Sequence, residues 1–145
     1  FATLLVREGV ITRFQAEQFR QGKWKRFTLG KYRVLEKLGA GGMAVVYRAC
    51  RDDGQFEQEV AIKCVPANPS TRDIELFRRE RQIHAALNHP NIARLLDGGT
   101  LDDGRAWLAV ELVEGRHIDA HADAEGLGLP ARMRLLLQVV AAVSW

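Results

Sequence analysis

The sequence predicts an α+β chain, a five-stranded antiparallel sheet with one helix inserted between the third and fourth strands. Three observations carry this expectation. Between Tyr32 and Val113, five segments with strand-like apolar patterning are separated by turn signals. Residues 73–87, in their midst, switch to a helical period. Short turns join neighbouring segments, which suits antiparallel pairing.

Taken in order, residues 2–22 read as two short helices. The first stops at Gly9. Thr12 and Gln15 match a capping box for the second, which Gly22 closes and to which Phe14 and Phe19 give a weak apolar face. Lys23 to Leu29 reads as a basic connector. Strands follow at Tyr32–Leu38, Ala44–Cys50 and Gln58–Val65, punctuated by Gly39-Ala40-Gly41-Gly42 and by Arg51-Asp52-Asp53-Gly54. Ser70 or Thr71 caps the helix, which ends before Asn88-His89-Pro90. Ile92–Gly98 and Arg105–Val113 are strands around Asp102-Asp103-Gly104. A short helix lies within Gly115–Glu125, and Pro130 takes the first position of a last helix. That helix is expected to expose Leu135, Leu136, Val139 and Val140. No internal repeat is present.

Composition narrows the function. With 145 residues, 47% of them hydrophobic and 27% charged, the chain can bury an ordinary core, and disorder is excluded. The most apolar stretch, Leu135–Val143, falls short of the roughly 18 to 20 residues of a membrane span. No secretory leader is read in residues 1–31. Those residues carry seven basic and two acidic side chains, while the remainder holds 14 basic and 16 acidic. Two short helices with basic residues could contact DNA or an acidic surface, but an extension docked on the following domain is the simpler reading. Cys50 and Cys64 lack metal-ligand spacing and read as reduced, half-buried thiols; a disulfide requires their strands to pair. The start at Phe1 and the stop at Trp145 inside a helical pattern suggest a piece of a longer protein.

Chemistry concentrates in three places. Gly39, Gly41 and Gly42 weaken a hairpin unless backbone amides must approach an anion closely; a plain glycine turn is the alternative. Alternation puts Ala61, Lys63 and Val65 on one strand face and Val60, Ile62 and Cys64 on the other, so Lys63 needs an edge position or a partner. Leu76, Glu80, Ile83 and Leu87 form one helical stripe, with Arg78, Arg79 and Arg81 pointing elsewhere. Glu80 is then either the inward carboxylate of a buried pair with Lys63 or part of a solvated charged run.

The stretch Leu38-Gly39-Ala40-Gly41-Gly42-Met43-Ala44-Val45-Val46-Tyr47, then Val60-Ala61-Ile62-Lys63, Glu80 and His89-Pro90-Asn91-Ile92, resembles the N-terminal lobe of a bacterial Ser/Thr protein kinase of the eukaryotic-like (Hanks) type. Arg105 to Gly115 is similar to that family's fifth strand and hinge. The resemblance divides the chain into an extension (1–29), an N-lobe with hinge (30–114) and the start of a C-lobe (115–145). It implies an ATP site formed by Leu38, Gly39, Ala40, Gly41, Gly42, Val46, Ala61, Lys63, Val110, Glu111 and Val113. Lys63 takes the role of the lysine on the α- and β-phosphates and Glu80 that of the carboxylate holding it. Val46 and Ala61 pack on adenine, Val110 is the gatekeeper, and backbone groups of Glu111 and Val113 meet the adenine edge, with Glu114 near the ribose.

Ala44 replaces the third loop glycine, which is compatible with nucleotide binding if its φ stays negative. The family's His-Arg-Asp and Asp-Phe-Gly motifs are absent from these residues, and Asp119 and Asp123 follow the hinge too closely to replace them. The resemblance therefore implies a kinase using ATP and Mg²⁺, the metal being held by residues beyond this chain, while the fragment alone is inactive. The alternatives are a pseudokinase-like scaffold and a DNA-binding regulator. No protein substrate is named, no nucleic-acid partner is expected, and dimerisation is left open. The implied location is cytoplasmic, with room for a membrane anchor downstream.

Overall fold

The computed structural model describes residues 1–23, 27–42, 44–54 and 57–144. Lys25 and Arg26 of the connector, Met43 of the glycine turn and Trp145 lie outside the described residues. Helices α1 (Ala2–Arg7) and α2 (Arg13–Arg20) lead, and the expected capping box forms: Gln15 N–H donates to Thr12 Oγ1, and Thr12 N–H to Gln15 Oε1.

Among the described residues six strands, not five, make one antiparallel sheet in the order β1-β2-β3-β4-β6-β5. They are β1 (Thr28–Leu29), β2 (Tyr32–Ala40), β3 (Val45–Arg51), β4 (Glu59–Cys64), β5 (Leu95–Thr100) and β6 (Ala106–Glu111). The extra strand is the end of the expected connector. Two residues are too short for an alternation signal, and Thr28–Leu29 pair only because Gly30-Lys31 turns them back onto β2. Helix α3 (Thr71–Ala86) is inserted between β4 and β5, starting two residues earlier than expected because Ser70 is the cap. Ser70 Oγ accepts from the Asp73 amide, and Asp73 Oδ2 accepts from the Ser70 amide and hydroxyl, which lowers the Asp73 pKa. After β6 come α4 (Ile118–Ala124) and α5 (Leu129–Val143), where Pro130 is the second residue rather than the first. On α5, Leu136, Val139 and Val140 are exposed as expected, whereas Leu135 is half-buried beside Ile118 and Ala122 of α4. Among the described residues no helix is long and apolar enough to cross a membrane.

The sheet has a core on each face. Tyr32, Val34, Ala49, Val60, Ile62, Cys64, Trp107 and Ala109 build the larger, against which Phe14 of α2 packs. Val65, Leu108 and Phe77 of α3 build the smaller. Strands β3 and β4 do pair, but Cys50 faces Glu59 and Cys64 faces Val45, at opposite ends of the ladder. Both thiols stay free, and both are fully rather than half buried.

Strand order leaves β1-β2 and β5 at opposite sides of the sheet, yet they meet. The Trp107 ring stands edge-on to Tyr32 with centroids 5.6 Å apart. A Cβ on Gly30 would come within 3.2 Å of that ring, and one on Gly99 within 3.1 Å, so a side chain at either would crowd the ring. Gly30 also takes a φ of 58°, open to glycine at little cost. Asp97, just after the irregularity in β5, accepts from Lys31 Nζ (2.8 Å), Tyr32 Oη (3.1 Å) and the Gly98 amide (2.8 Å). The sheet therefore curls until its first turn touches its last strand.

Burial and the Asp97 bond push the Tyr32 phenol up to about 12. Burial alone would raise the Asp97 carboxyl, but the hydrogen bonds from Lys31, Gly98 and Tyr32 outweigh it, and the net shift is downward. A carboxyl depressed on folding stabilises above its unfolded value of about 3.9 and loses that stabilisation as pH falls through the lower folded value. Asp97→Asn should lower the unfolding free energy by about 1–2 kcal/mol at pH 7. The difference should shrink as pH falls from about 4 through the lower folded value, below which neither protein carries the charge. Urea titrations of the two proteins from pH 7 to pH 2.5 check this; a gap constant across that range would remove Asp97 from the closure.

Candidate nucleotide site

The register of the sheet assembles the site. Gly39 lies opposite Val46, Val46 opposite Lys63, Lys63 opposite Leu108, and Leu108 opposite Gly98, so one cross-strand row runs through five strands. The next row on the same face is Arg48, Ala61, Val110 and Leu95. Gly39, Val46, Ala61, Lys63 and Val110, drawn from four strands, thus share one face. Leu38 and Ala40 flank Gly39 on β2, both exposed, and Gly41 and Gly42 begin the turn. Glu111 ends β6, where its amide donates to the Arg94 carbonyl and its carboxylate pairs with Arg94 at 3.3 Å. Val113 lies past the strand and is exposed.

The glycine turn is closed by a bond from the Gly41 amide to the Ala44 carbonyl (2.9 Å). None of Gly39, Gly41 and Gly42 takes a positive φ, and a Cβ on any of them would meet nothing within 4 Å. Neither backbone conformation nor packing asks for glycine there. Ala44, which replaces the third loop glycine, is buried.

Lys63 Nζ sits 2.5 Å from Glu80 Oε1. Lysine therefore has a partner, and the edge reading fails because β4 is central in the sheet. The pair is not buried, however, with side-chain exposures of 31% for Lys63 and 46% for Glu80. The expected helix stripe is also displaced. Phe77 is the buried residue of α3, with Ile74, Arg81 and His84 beside it on the packed face, while Leu76 and Ile83 are exposed. Leu76, Glu80, Ile83 and Leu87 instead line an open groove shared with Ile92. The reason is volume: Phe77 fills the space over Val65 and Leu108, and the helix turns to seat it, leaving Glu80 at the margin. His84 Nε2 lies 2.7 Å from the Ala93 carbonyl, tying the helix end to the segment that leads into β5.

Sequence reasoning misjudged Arg81, whose stem lies against β5, its Cδ 3.5 Å from where a Gly98 Cβ would stand. It also passed over Arg48, which binds Glu59 through Nε (2.8 Å) and Nη2 (2.9 Å) on the face of Ala61. That pairing raises the Arg48 pKa, with Glu36 and Glu114 adding to it. Alternation from Val46 was the signal available for Arg48. Asp123 is engaged by Arg132 (2.6 Å), and the carboxylate of Asp119 takes the Ala120 amide. No three His, Cys, Asp or Glu side chains converge on a metal position among the described residues.

Comparison with known proteins gives the family of the chain. Residues 32–145 match the family model described as the protein kinase domain. The chain is 36% identical over 118 residues to the serine/threonine-protein kinase PrkC of Bacillus subtilis, covering 79% of this chain and 18% of PrkC. It is 32% identical over 117 residues to the serine/threonine-protein kinase pkn3 of Myxococcus xanthus, covering 79% of this chain and 21% of pkn3. The serine/threonine-protein kinase PknJ of Mycobacterium tuberculosis is 39% identical over 87 residues, covering 58% and 14%. The chain thus spans about a fifth or less of these relatives. The crystal structure of the Mycobacterium tuberculosis PknI kinase domain superposes with a TM-score of 0.60 at 27% identity, over 79% of this chain and 47% of that one. With the family model covering most of its length and bacterial Ser/Thr kinases as its relatives, the chain belongs to the protein kinase domain family.

Proposed function

We propose that the face bearing Gly39, Val46, Ala61, Lys63 and Val110 binds ATP, and that the protein to which this chain belongs transfers the γ-phosphate to protein Ser/Thr hydroxyls. One observation carries the reading. Three glycines without conformational or packing need stand at the open end of a cross-strand row whose centre is a lysine held by a carboxylate.

The residues fit the nucleotide. Open space beside Gly39, Gly41 and Gly42 admits phosphate oxygens to backbone amides, and a partly exposed Lys63 offers a cation to them. Glu80 keeps the flexible lysine stem from wandering, so less ordering remains to be done on binding. Val46, Ala61 and Val110 supply an apolar surface for the base, with Leu38 and Ala40 at its rim. The Glu111 amide is already bonded to Arg94, which leaves the Glu111 carbonyl and Val113 amide as the groups for the adenine edge. ATP brings the phosphoryl group; these residues bind and orient it, and orientation with charge neutralisation is most of what phosphoryl transfer asks of a protein.

Mg²⁺ has no comparable fit among the described residues. Nor does a described carboxylate stand ready to orient an acceptor hydroxyl. We therefore propose that residues 1–145 bind nucleotide without transferring phosphate.

Lys63→Ala should weaken binding of a non-hydrolysable ATP analogue by roughly tenfold or more, read by calorimetry, because a charge-assisted contact is lost. An unchanged affinity would sink the site. Glu80→Gln should cost less than about 1 kcal/mol of stability, as expected of a partly exposed pair. A loss of 3–5 kcal/mol in urea unfolding would instead mark a buried one. Radiolabel transfer to a generic protein acceptor should be no greater for these 145 residues than for their Lys63→Ala variant; transfer above that control would refute the inactivity of the piece.

A further inference from the structure

The nucleotide reading leaves α1 and α2 without a part to play, yet α2 is attached at a particular place. It lies on the sheet face opposite Lys63 and contacts both strands of the hairpin that carries the glycine turn. On β2, Thr12 Oγ1 donates to the Leu35 carbonyl (2.5 Å) and Gln15 Nε2 to the Val34 carbonyl (2.6 Å). On β3, the Phe14 ring lies 6.2 Å from the ring of Tyr47, the neighbour of Val46.

These contacts fall on an irregularity in the ladder. Val34 pairs with Ala49 and Glu36 with Arg48, so Leu35 is an extra residue on β2. Such a bulge leaves a residue out of the ladder, and its backbone needs another partner. Thr12 supplies one. Gln15 is only 3% exposed, a buried amide with both ends used: Oε1 takes the Thr12 amide and Nε2 reaches Val34. The same two residues that cap α2 therefore bond the backbone at the bulge. Three residues beyond it, a second shift brings Gly39 opposite Val46, and the lysine row starts there.

We propose that Thr12 and Gln15 are positioning residues for the nucleotide site. By holding the Leu35 bulge from behind, they fix the register in which β2 delivers Gly39 to Val46 and, through Val46, to Lys63. If the bulge closes, every later residue of β2 moves by one position and turns to the other face, which takes Gly39 out of the row. This rests on the nucleotide reading of that row.

The test uses the whole 145-residue chain with Thr12→Val, Thr12→Ser and Gln15→Leu. Amide exchange without nucleotide is compared between residues 36–46 and the strands at 60–64 and 106–111, and affinity is measured for a non-hydrolysable ATP analogue. Thr12→Val and Gln15→Leu should speed exchange about tenfold in 36–46 and leave the other two strands within about twofold. Analogue binding should weaken about three- to tenfold, and Thr12→Ser should retain both properties. Equal loss of protection across all three strands, or none in 36–46, overturns the proposal, since the first marks general support and the second no coupling. If Gln15→Leu does not fold, the Thr12 pair decides alone. If the unaltered chain fails to bind the analogue, the nucleotide reading falls, and the exchange comparison still judges the hold on the bulge.

Discussion

The alternation along β4 is the constraint on which the rest of the molecule depends. Val60, Ile62 and Cys64 are each almost wholly buried in the larger core, while Ala61, Lys63 and Val65 turn to the side covered by α3. Because the side-chain period of a strand is two, a slip of one residue would drive Lys63 into an apolar core and expose Ile62. Neither can be tolerated: an unpaired ammonium in that core would cost several kcal/mol, and exposing Ile62 would forfeit about 1.5–3 more. Antiparallel pairing then passes the choice to the neighbours. Once Lys63 faces α3, Val46 on one side and Leu108 on the other must face it too.

Two helices hold opposite faces of this central ladder by different means. Helix α3 seats one large ring, Phe77, over Val65 and Leu108, and presents Glu80 at the rim as a consequence. Helix α2 contributes little buried area, one half-buried ring and a buried amide, and works through hydrogen bonds to two carbonyls of β2. Curling of the sheet is a third restraint. Trp107 between Gly30 and Gly99, with Asp97 beneath Lys31 and Tyr32, joins strands that the hydrogen-bond ladder leaves apart. Residues far apart in sequence thereby fix the start of β2, while α2 fixes its middle.

Much of this was legible in the sequence, and the failures have physical causes. Element order was readable because period-two and helical patterns switch at Tyr32, near Asp73 and after Val113. Strand β1 was not, since a two-residue strand has no period and exists through its turn alone. The helix stripe was misjudged because Leu76, Ile83 and Leu87 outnumber Phe77, yet one large ring against Val65 and Leu108 outweighed three aliphatic side chains in setting the helix rotation. That error carried over to the burial of the Lys63–Glu80 pair but not to its existence, because Glu80 is within one position of either stripe. The bulge at Leu35 was invisible for another reason: it is a property of pairing, and no residue in β2 announces it. Its partners were visible as a capping box, but local chemistry does not say what else a Thr and a Gln will bond.

The glycines separate structure from function more sharply than any other residue type here. Gly30 combines a positive φ with a tryptophan ring 3.2 Å from where its Cβ would be, and Gly99 has the same ring at 3.1 Å. Folding accounts for both. Gly39, Gly41 and Gly42 have neither feature, and each still carries the entropic disadvantage of glycine in an ordered strand or turn, roughly 0.5–1 kcal/mol relative to alanine. A hairpin end held by the Gly41–Ala44 bond would be firmer with side chains at all three positions. Stability alone gives no reason for them; the proposed nucleotide site gives one, since phosphate oxygens would take the space a Cβ would fill. On that proposal the row from Gly39 through Val46 to Lys63 sets open backbone and a cation on one face, the pairing that an anionic ligand would need.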